Sequence, residues 1–177
     1  MWMGFIKNSV KNRLKQATDG CYSGYTLQLE KVCKELKLDC FDAEFKDPKM
    51  SGAIYKEDKS GKFTIYVNAA HPLTRKRFTV AHEIGHYISF LEASYSKSQL
   101  MSEGFEDYAI SFRHEGVKSK AESEANIIAA EMLMPAEFVQ KMYEQGFSPE
   151  QMAEEFCVSE ISMTLRLQSL YPDIIID

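Results

Sequence analysis

Residues 77–90, RFTVAHEIGHYISF, hold two histidines four positions apart, His82 and His86, with Glu83 directly after the first. On an α-helix, residues i and i+4 lie one turn apart on the same face, so both imidazoles can reach one small cation. Glu83 then lies beside that cation at a different angle, suited to hold a water molecule rather than the ion. This His-Glu-x-x-His spacing is typical of zinc peptidases.

The residues around this motif favour a bound metal over an ordinary solvent-facing helix. Burying a glutamate and two histidines without partners is costly, and a divalent cation would satisfy all three. The helix should be buried because it is apolar over most of its circumference, through Phe78, Val80, Ala81, Ile84 and Ile88.

A third ligand must come from elsewhere, because catalytic zinc usually takes three protein ligands and leaves the fourth position to water. The longer motif with a third histidine is excluded, since it needs glycine and histidine where this chain has Ser89 and Glu92. Glu122 is the best candidate, in the second apolar stretch KAESEANIIAAEMLMP, where small residues permit close helix packing. Glu124 and Glu131 are alternatives; at about 100° per residue both fall on the far side of that helix.

Further polar residues could complete the site. Asn126 follows Glu122 by one turn, so its amide could reach a metal-bound histidine. An oxyanion donor would also be needed, and His114 is a candidate together with Tyr108 and Arg113. The ligand types favour one Zn²⁺ per chain, although Mn²⁺ or Fe²⁺ also suits a His-His-carboxylate set.

The elements that would position these side chains follow from periodicity. Residues 92–118 lack a firm period and are interpreted as a loop with one short helix at most. The order of helices, then sheet, then helices predicts an α+β fold, forming a single domain over residues 1–177. Helical spacing predicts helices at about residues 5–17, 25–37, 75–91, 120–134, 149–156 and 160–170.

Alternating stretches between these helices predict a small antiparallel sheet of about three strands: DCFDAEF, GAIYKED and KFTIYVNA. The last of them, Phe63–Asn68, leads toward the histidine helix. We expect an exposed edge there to bind substrate as an added strand.

The basic cluster at residues 75–77, Arg-Lys-Arg, falls in the first turn of the histidine helix. The helix dipole disfavours cations at that end. Solvated side chains are the simpler interpretation, and a surface for an acidic partner is the functional alternative.

Residues 148–170 resemble a helix-turn-helix within the same domain; their sequence is SPEQMAEEFCVSEISMTLRLQSL. Specific DNA readers usually present several cations, and the second helix offers only Arg166. The whole chain is acidic, with 21 Lys and Arg against 26 Asp and Glu and a formal charge of −5. Direct nucleic-acid binding is therefore disfavoured, and a helical hairpin that packs on the core or docks a partner is expected.

The chain is expected to be cytoplasmic. Its N-terminal residues lack the apolar segment and cleavage site of a secretory signal, and no stretch is apolar over the length of a bilayer. The four cysteines show no zinc-finger spacing, so free thiols are expected; they are Cys21, Cys33, Cys40 and Cys157.

Together, FTVAHEIGH and ESEANIIAAEMLMP resemble the ImmA/IrrE family of metallo-endopeptidases. The resemblance extends through FTIYVNAAHPLTRKRF and QGFSPEQMAEEFCVSEISMTLRL, over roughly residues 25–170. The first motif alone indicates only a zinc peptidase, whereas its combination with Glu-x-x-Ala-Asn and Leu-Met-Pro is far more specific. Phe90 is one departure, because many members have a histidine at that position.

The resemblance implies that His82, His86 and Glu122 are zinc ligands and that Glu83 is the catalytic residue. It implies a compact zincin-like fold, in which a small sheet packs on two buried ligand helices. Family members typically cleave helix-turn-helix repressors in mobile-element or stress-response systems, so a cytosolic repressor is the expected substrate. The alternatives are a non-catalytic metal-binding regulator that docks a repressor and a DNA-binding regulator acting through the C-terminal hairpin.

Overall fold

The computed structural model describes residues 6–57, 61–92 and 120–173. The mixture of helices and small sheets confirms the predicted α+β class. The helices in the described residues are α1 (Asn8–Thr18), α2 (Leu29–Glu35), α3 (Leu73–Glu92), α4 (Lys120–Leu133), α5 (Ala136–Glu144), α6 (Pro149–Phe156) and α7 (Glu160–Leu170). The strands are β1 (Tyr22–Ser23), β2 (Thr26–Leu27), β3 (Asp39–Ala43), β4 (Gly52–Lys56) and β5 (Phe63–Asn68).

The larger sheet has the three predicted strands, in the order β3-β5-β4, but it is mixed rather than wholly antiparallel. β4 and β5 pair antiparallel, and next to the last pair the Glu57 N–H donates to the Lys62 carbonyl. β3 then pairs with the other side of β5 in parallel. The prediction of an exposed edge at Phe63–Asn68 is therefore wrong, because β5 is the central strand; β4 is an edge strand of the sheet as far as the described residues go. β1 and β2 form a separate antiparallel pair.

The core lies between the inner face of this sheet and the two long helices α3 and α4. Ile54 and Ile65 of the sheet are buried with Ile84 and Ile88 of α3 and Ile128 of α4. Burial of α3 on most sides matches its predicted apolar circumference. None of the helices in the described ranges combines the length and hydrophobicity that a bilayer span requires.

At Gly85, α3 and α4 approach so closely that a side chain would not fit between them. A Cβ atom placed there would lie 2.9 Å from the Ala125 carbonyl oxygen and 3.2 Å from its Cα. Both distances are too short for van der Waals contact. Glycine in the second half of the histidine motif therefore lets the backbones of the two helices touch.

The C-terminal hairpin, α6 and α7, packs against α4 through Arg166. This side chain is 2% exposed; its Nε donates to the Met134 carbonyl at 3.0 Å, and its guanidinium pairs with Glu131. Ser148 and Ser159 cap the two helices through side-chain hydrogen bonds. The cation considered for reading DNA is thus held inside the protein.

The basic cluster at the start of α3 is structural for at least two of its members. Lys76 pairs with Asp42 at 2.9 Å. Arg77 donates to the carbonyls of Leu27 and Cys157, each at 3.0 Å, and so ties α3 to the turn between α6 and α7. All four cysteines are free thiols, as predicted.

Candidate metal centre

α3 presents His82 and His86 on one side, one turn apart. Their Nε2 atoms lie 3.0 Å from each other, and the two rings are nearly perpendicular, at 89°. His86 is buried and His82 is partly buried. Both imidazoles therefore direct the same ring nitrogen toward one point.

Glu122 reaches that point from α4. Its Oε2 lies 3.4 Å from Nε2 of His82, and its Oε1 lies 3.2 Å from Nε2 of His86. Candidate ligand atoms of the three residues all lie within 4.8 Å of one another. Two helices that are distant in sequence thus bring two nitrogen donors and one carboxylate together.

The spacing of these donors fits a divalent cation. Ligand bonds of about 2.0–2.1 Å in a tetrahedral arrangement separate neighbouring donor atoms by roughly 3.3 Å. The three observed separations are 3.0, 3.2 and 3.4 Å. His82, His86 and Glu122 can therefore hold one small metal ion with only slight adjustment.

Asn126, one turn after Glu122 on α4, lies behind His82. Its Oδ1 is 2.9 Å from Nδ1 of His82. Because an amide oxygen only accepts hydrogen bonds, this contact requires a proton on Nδ1. In the neutral imidazole the lone pair is then on Nε2, the nitrogen that faces His86 and Glu122.

The electrostatics of the cluster favour an ionised carboxylate beside a readily protonated histidine. Burial lowers the pKa of His82, but a hydrogen bond with Glu122 and the charges of Glu83 and Glu122 outweigh it and raise this pKa above its ordinary value. Burial raises the pKa of Glu122, yet hydrogen bonds from His82 and His86 outweigh it and hold this pKa at about 2. At neutral pH Glu122 is therefore an anion ready to accept a cation.

These residues line a cleft of about 460 Å³ between α3, α4 and β4. Glu83 lines the same cleft, close to the two histidines but outside the three-residue cluster. This separation suits a glutamate that handles a proton rather than a metal bond.

β4 forms one wall of the cleft through residues 52–54, with Ser51 directly before them. It lies very close to α3 at Gly52, where a Cβ atom would meet the Thr79 Cγ2 at 2.5 Å and the Tyr66 carbonyl oxygen at 2.7 Å. The edge of the sheet is therefore held beside the metal cluster. The alternating pattern predicted this strand but not its position beside the metal cluster. Gly52, which opens the strand, was the one sequence signal of a close approach to another element.

The alternative carboxylates do not join the cluster. Glu131 pairs with Arg166 and accepts a hydrogen bond from the Ala136 N–H, and Glu124 does not line the cleft. The possible oxyanion donors His114, Tyr108 and Arg113 lie outside the described residues. Lys49 and Arg75 do line the cleft, although the sequence assigned neither of them to the site.

Residues 33–168 match the protein family described as the IrrE N-terminal-like domain, Peptidase_M78. The chain belongs to the Peptidase_M78 family. This membership confirms the resemblance seen in the two motifs and indicates a metallopeptidase-like role. No curated protein matches the chain.

Among solved structures, this Peptidase_M78 chain is similar to a Mycobacterium tuberculosis transcriptional regulator. The two are 14% identical, with a TM-score of 0.54 over 93% of this chain. The chain spans about half of that protein, 48% of its length. At this identity the similarity shows a shared fold and nothing further.

Proposed function

We propose that this Peptidase_M78 chain is a zinc-dependent endopeptidase that hydrolyses a peptide bond in a cytosolic protein. The observation that carries the proposal is the convergence of His82, His86 and Glu122 at tetrahedral spacing, with Glu83 in the same cleft. The family resemblance supports a helix-turn-helix repressor as substrate, within a mobile-element or stress-response system.

In this proposal His82, His86 and Glu122 hold one Zn²⁺ per chain. Two imidazoles and one carboxylate are the donor set of many catalytic zinc sites, although Mn²⁺ or Fe²⁺ tolerates the same ligands. A bound zinc ion would lower the pKa of a water molecule and polarise the peptide carbonyl. Asn126 keeps the His82 ring oriented by accepting its Nδ1–H.

Glu83 is the proposed catalytic residue. Its carboxylate accepts a proton from the attacking water as the oxygen bonds to the carbonyl carbon. The same carboxyl group then donates this proton to the leaving amine nitrogen, which restores the ionised glutamate. His114 remains the proposed oxyanion donor, and its position lies outside the described residues.

The substrate would bind as an added strand along β4. Among the described strands β4 pairs only with β5, and its residues 52–54 line the cleft. An extended peptide can form backbone hydrogen bonds with such an edge while its side chains occupy neighbouring pockets. The peptide bond to be cut would then pass Glu83 and the histidine pair.

The decisive experiment incubates the zinc-loaded protein with a candidate repressor, with and without a chelator, and identifies fragments by mass spectrometry. We expect cleavage that the chelator abolishes and that Glu83→Gln prevents while zinc remains bound. Metal-dependent binding without any fragment would instead support the non-catalytic regulator. DNA binding through the hairpin is disfavoured further, because Arg166, the one cation of its second helix, is buried and paired.

A further inference from the structure

Two cations, Lys49 and Arg75, line the cleft together with His82 and Glu83. Within the described residues neither of them pairs with a carboxylate. Four other cations in the same ranges do so: Arg13 with Glu92, Lys62 with Asp39, Lys76 with Asp42 and Arg166 with Glu131. Many other cations of the described residues also lack a carboxylate partner, so what distinguishes Lys49 and Arg75 is their position in the lining of the cleft.

The structure fixes the backbone from which these cations project. Arg75 donates from its guanidinium to the Ser51 hydroxyl at 2.9 Å. Asn68, which is 4% exposed, donates from its side-chain amide to the Met50 carbonyl and from its backbone N–H to the Ser51 carbonyl, both at 2.8 Å. The segment between Lys49 and β4 is thus anchored to the central strand β5, and Arg75 contacts that segment two residues after Lys49.

The distance of the Arg75 backbone from the reacting groups follows from helix geometry. Arg75 precedes Glu83 by eight residues on α3, which corresponds to roughly 12 Å along the helix axis at 1.5 Å per residue. An extended peptide advances about 3.3 Å per residue, so this distance spans about three to four substrate residues. A substrate group near Arg75 is therefore several residues away from the bond that Glu83 would help to cut.

We propose that Lys49 and Arg75 bind a carboxylate of the substrate, about three or four residues from the scissile bond. The cleft then selects peptides with an acidic group at that position. This inference rests on the proposed peptidase function. An aspartate or glutamate side chain and the terminal carboxylate of a short peptide offer the same chemistry, so the test must separate them.

The test uses fluorogenic peptide libraries with amidated C-termini, in which most positions carry mixed residues. Each library has Glu, Gln or Lys fixed at a position three or four residues before or after the centre of the peptide, which lies between a fluorophore and its quencher. A further library has a free C-terminus and no fixed acid. The proteins are the zinc-loaded wild type, the Lys49→Glu/Arg75→Glu variant and Lys141→Glu. Lys141 is an exposed cation of α5 outside the cleft lining, so Lys141→Glu shows the effect of a charge reversal away from the cleft, with half of the double variant's change in net charge.

Two quantities are measured: kcat/KM, and the affinity of each library for the same three proteins carrying Glu83→Gln. At low salt we expect the kcat/KM of wild type to be roughly tenfold higher for the fixed-Glu library than for the fixed-Gln library. This ratio should fall at high salt, because the two cations are exposed and salt screens their charges. The double variant should lose this ratio and favour Lys, whereas Lys141→Glu should keep it. Preference for the free C-terminus instead would identify the chain terminus as the bound group.

The outcomes separate the two proposals. If the libraries are cleaved but the Glu-to-Gln ratio is the same in wild type and double variant, the inference is wrong and the peptidase function stands. If nothing is cleaved but the Glu83→Gln proteins bind acidic peptides through Lys49 and Arg75, the inference stands and the function is wrong. Neither cleavage nor selective binding would overturn both.

Discussion

Asn126 Oδ1 accepts a hydrogen bond from His82 Nδ1 at 2.9 Å, across 44 residues of sequence. The contact joins α4 to α3 directly behind the metal cluster. It selects the tautomer of His82 whose lone pair faces Glu122, and it limits rotation of the ring. Asn126 therefore orients a proposed ligand without being one.

Asn126→Ala should lower zinc affinity by about 10- to 100-fold, the usual effect of removing a partner that orients a metal-binding histidine. Competition against a chromophoric chelator measures this affinity. Glu124→Ala is a matched control on the same helix, because Glu124 does not line the cleft. Equal affinities for wild type and Asn126→Ala would show that the ring is held by other contacts.

The pKa of His82 should fall when Glu122 is neutralised. In the metal-free protein this pKa is raised above 6.5, so the associated stability is fully present below 6.5 and is lost as pH rises through the folded-state pKa. Glu122 has its pKa lowered to about 2, so its contribution is present above about 4.5 and is lost as pH falls toward 2. NMR titration of metal-free wild type and Glu122→Gln tests this coupling. An unchanged His82 titration would contradict it.

Gly85→Ala should destabilise the protein, although alanine is the better helix former by about 1 kcal/mol. The added methyl group would press on the Ala125 backbone, which cannot move without separating α3 from α4. We expect a net loss on the order of 1–3 kcal/mol in the free energy of unfolding, together with weaker zinc binding. Urea denaturation measures the first effect, and a gain in stability would show that the helices have room to spare.

Arg166→Met should lower the free energy of unfolding by on the order of 3 kcal/mol, because it leaves the Glu131 carboxylate and the Met134 carbonyl without their partner. Adding Glu131→Met to this variant should recover part of the loss, since no unpaired charge then remains. Urea denaturation of the single and double variants measures both steps. If Arg166→Met is as stable as wild type, the buried pair has no structural role.

The sequence predicted the parts of the site that depend on local helix geometry. The four-residue spacing placed His82 and His86 on one face, and the angle per residue separated Glu122 from Glu124 and Glu131. The small residues that follow Glu122 also predicted the place on α4 where α3 packs closely.

Features that depend on pairing between distant segments were less accessible. Alternating hydrophobicity identified β3, β4 and β5 as strands, and the predicted antiparallel pairing holds for β4 and β5, but the pattern did not show that β3 pairs in parallel with the other side of β5. A single arginine in an amphipathic helix, Arg166, can face solvent or the core, and only the position of α4 decides between them. Lys49 and Arg75 share a cleft because Ser51 and Asn68 bring β4 to the start of α3, a contact with no local signature.

Because the three proposed ligands come from two helices, metal binding depends on the tertiary structure being formed. The histidines of α3 and the carboxylate of α4 come within reach of one ion only when the two helices pack together at Gly85. A folding intermediate in which α3 and α4 have not yet packed together offers at most two nitrogen ligands. Tight metal binding should therefore follow the association of the helices rather than guide it. Time-resolved refolding with a fluorescent zinc indicator would then report the late closure of the core.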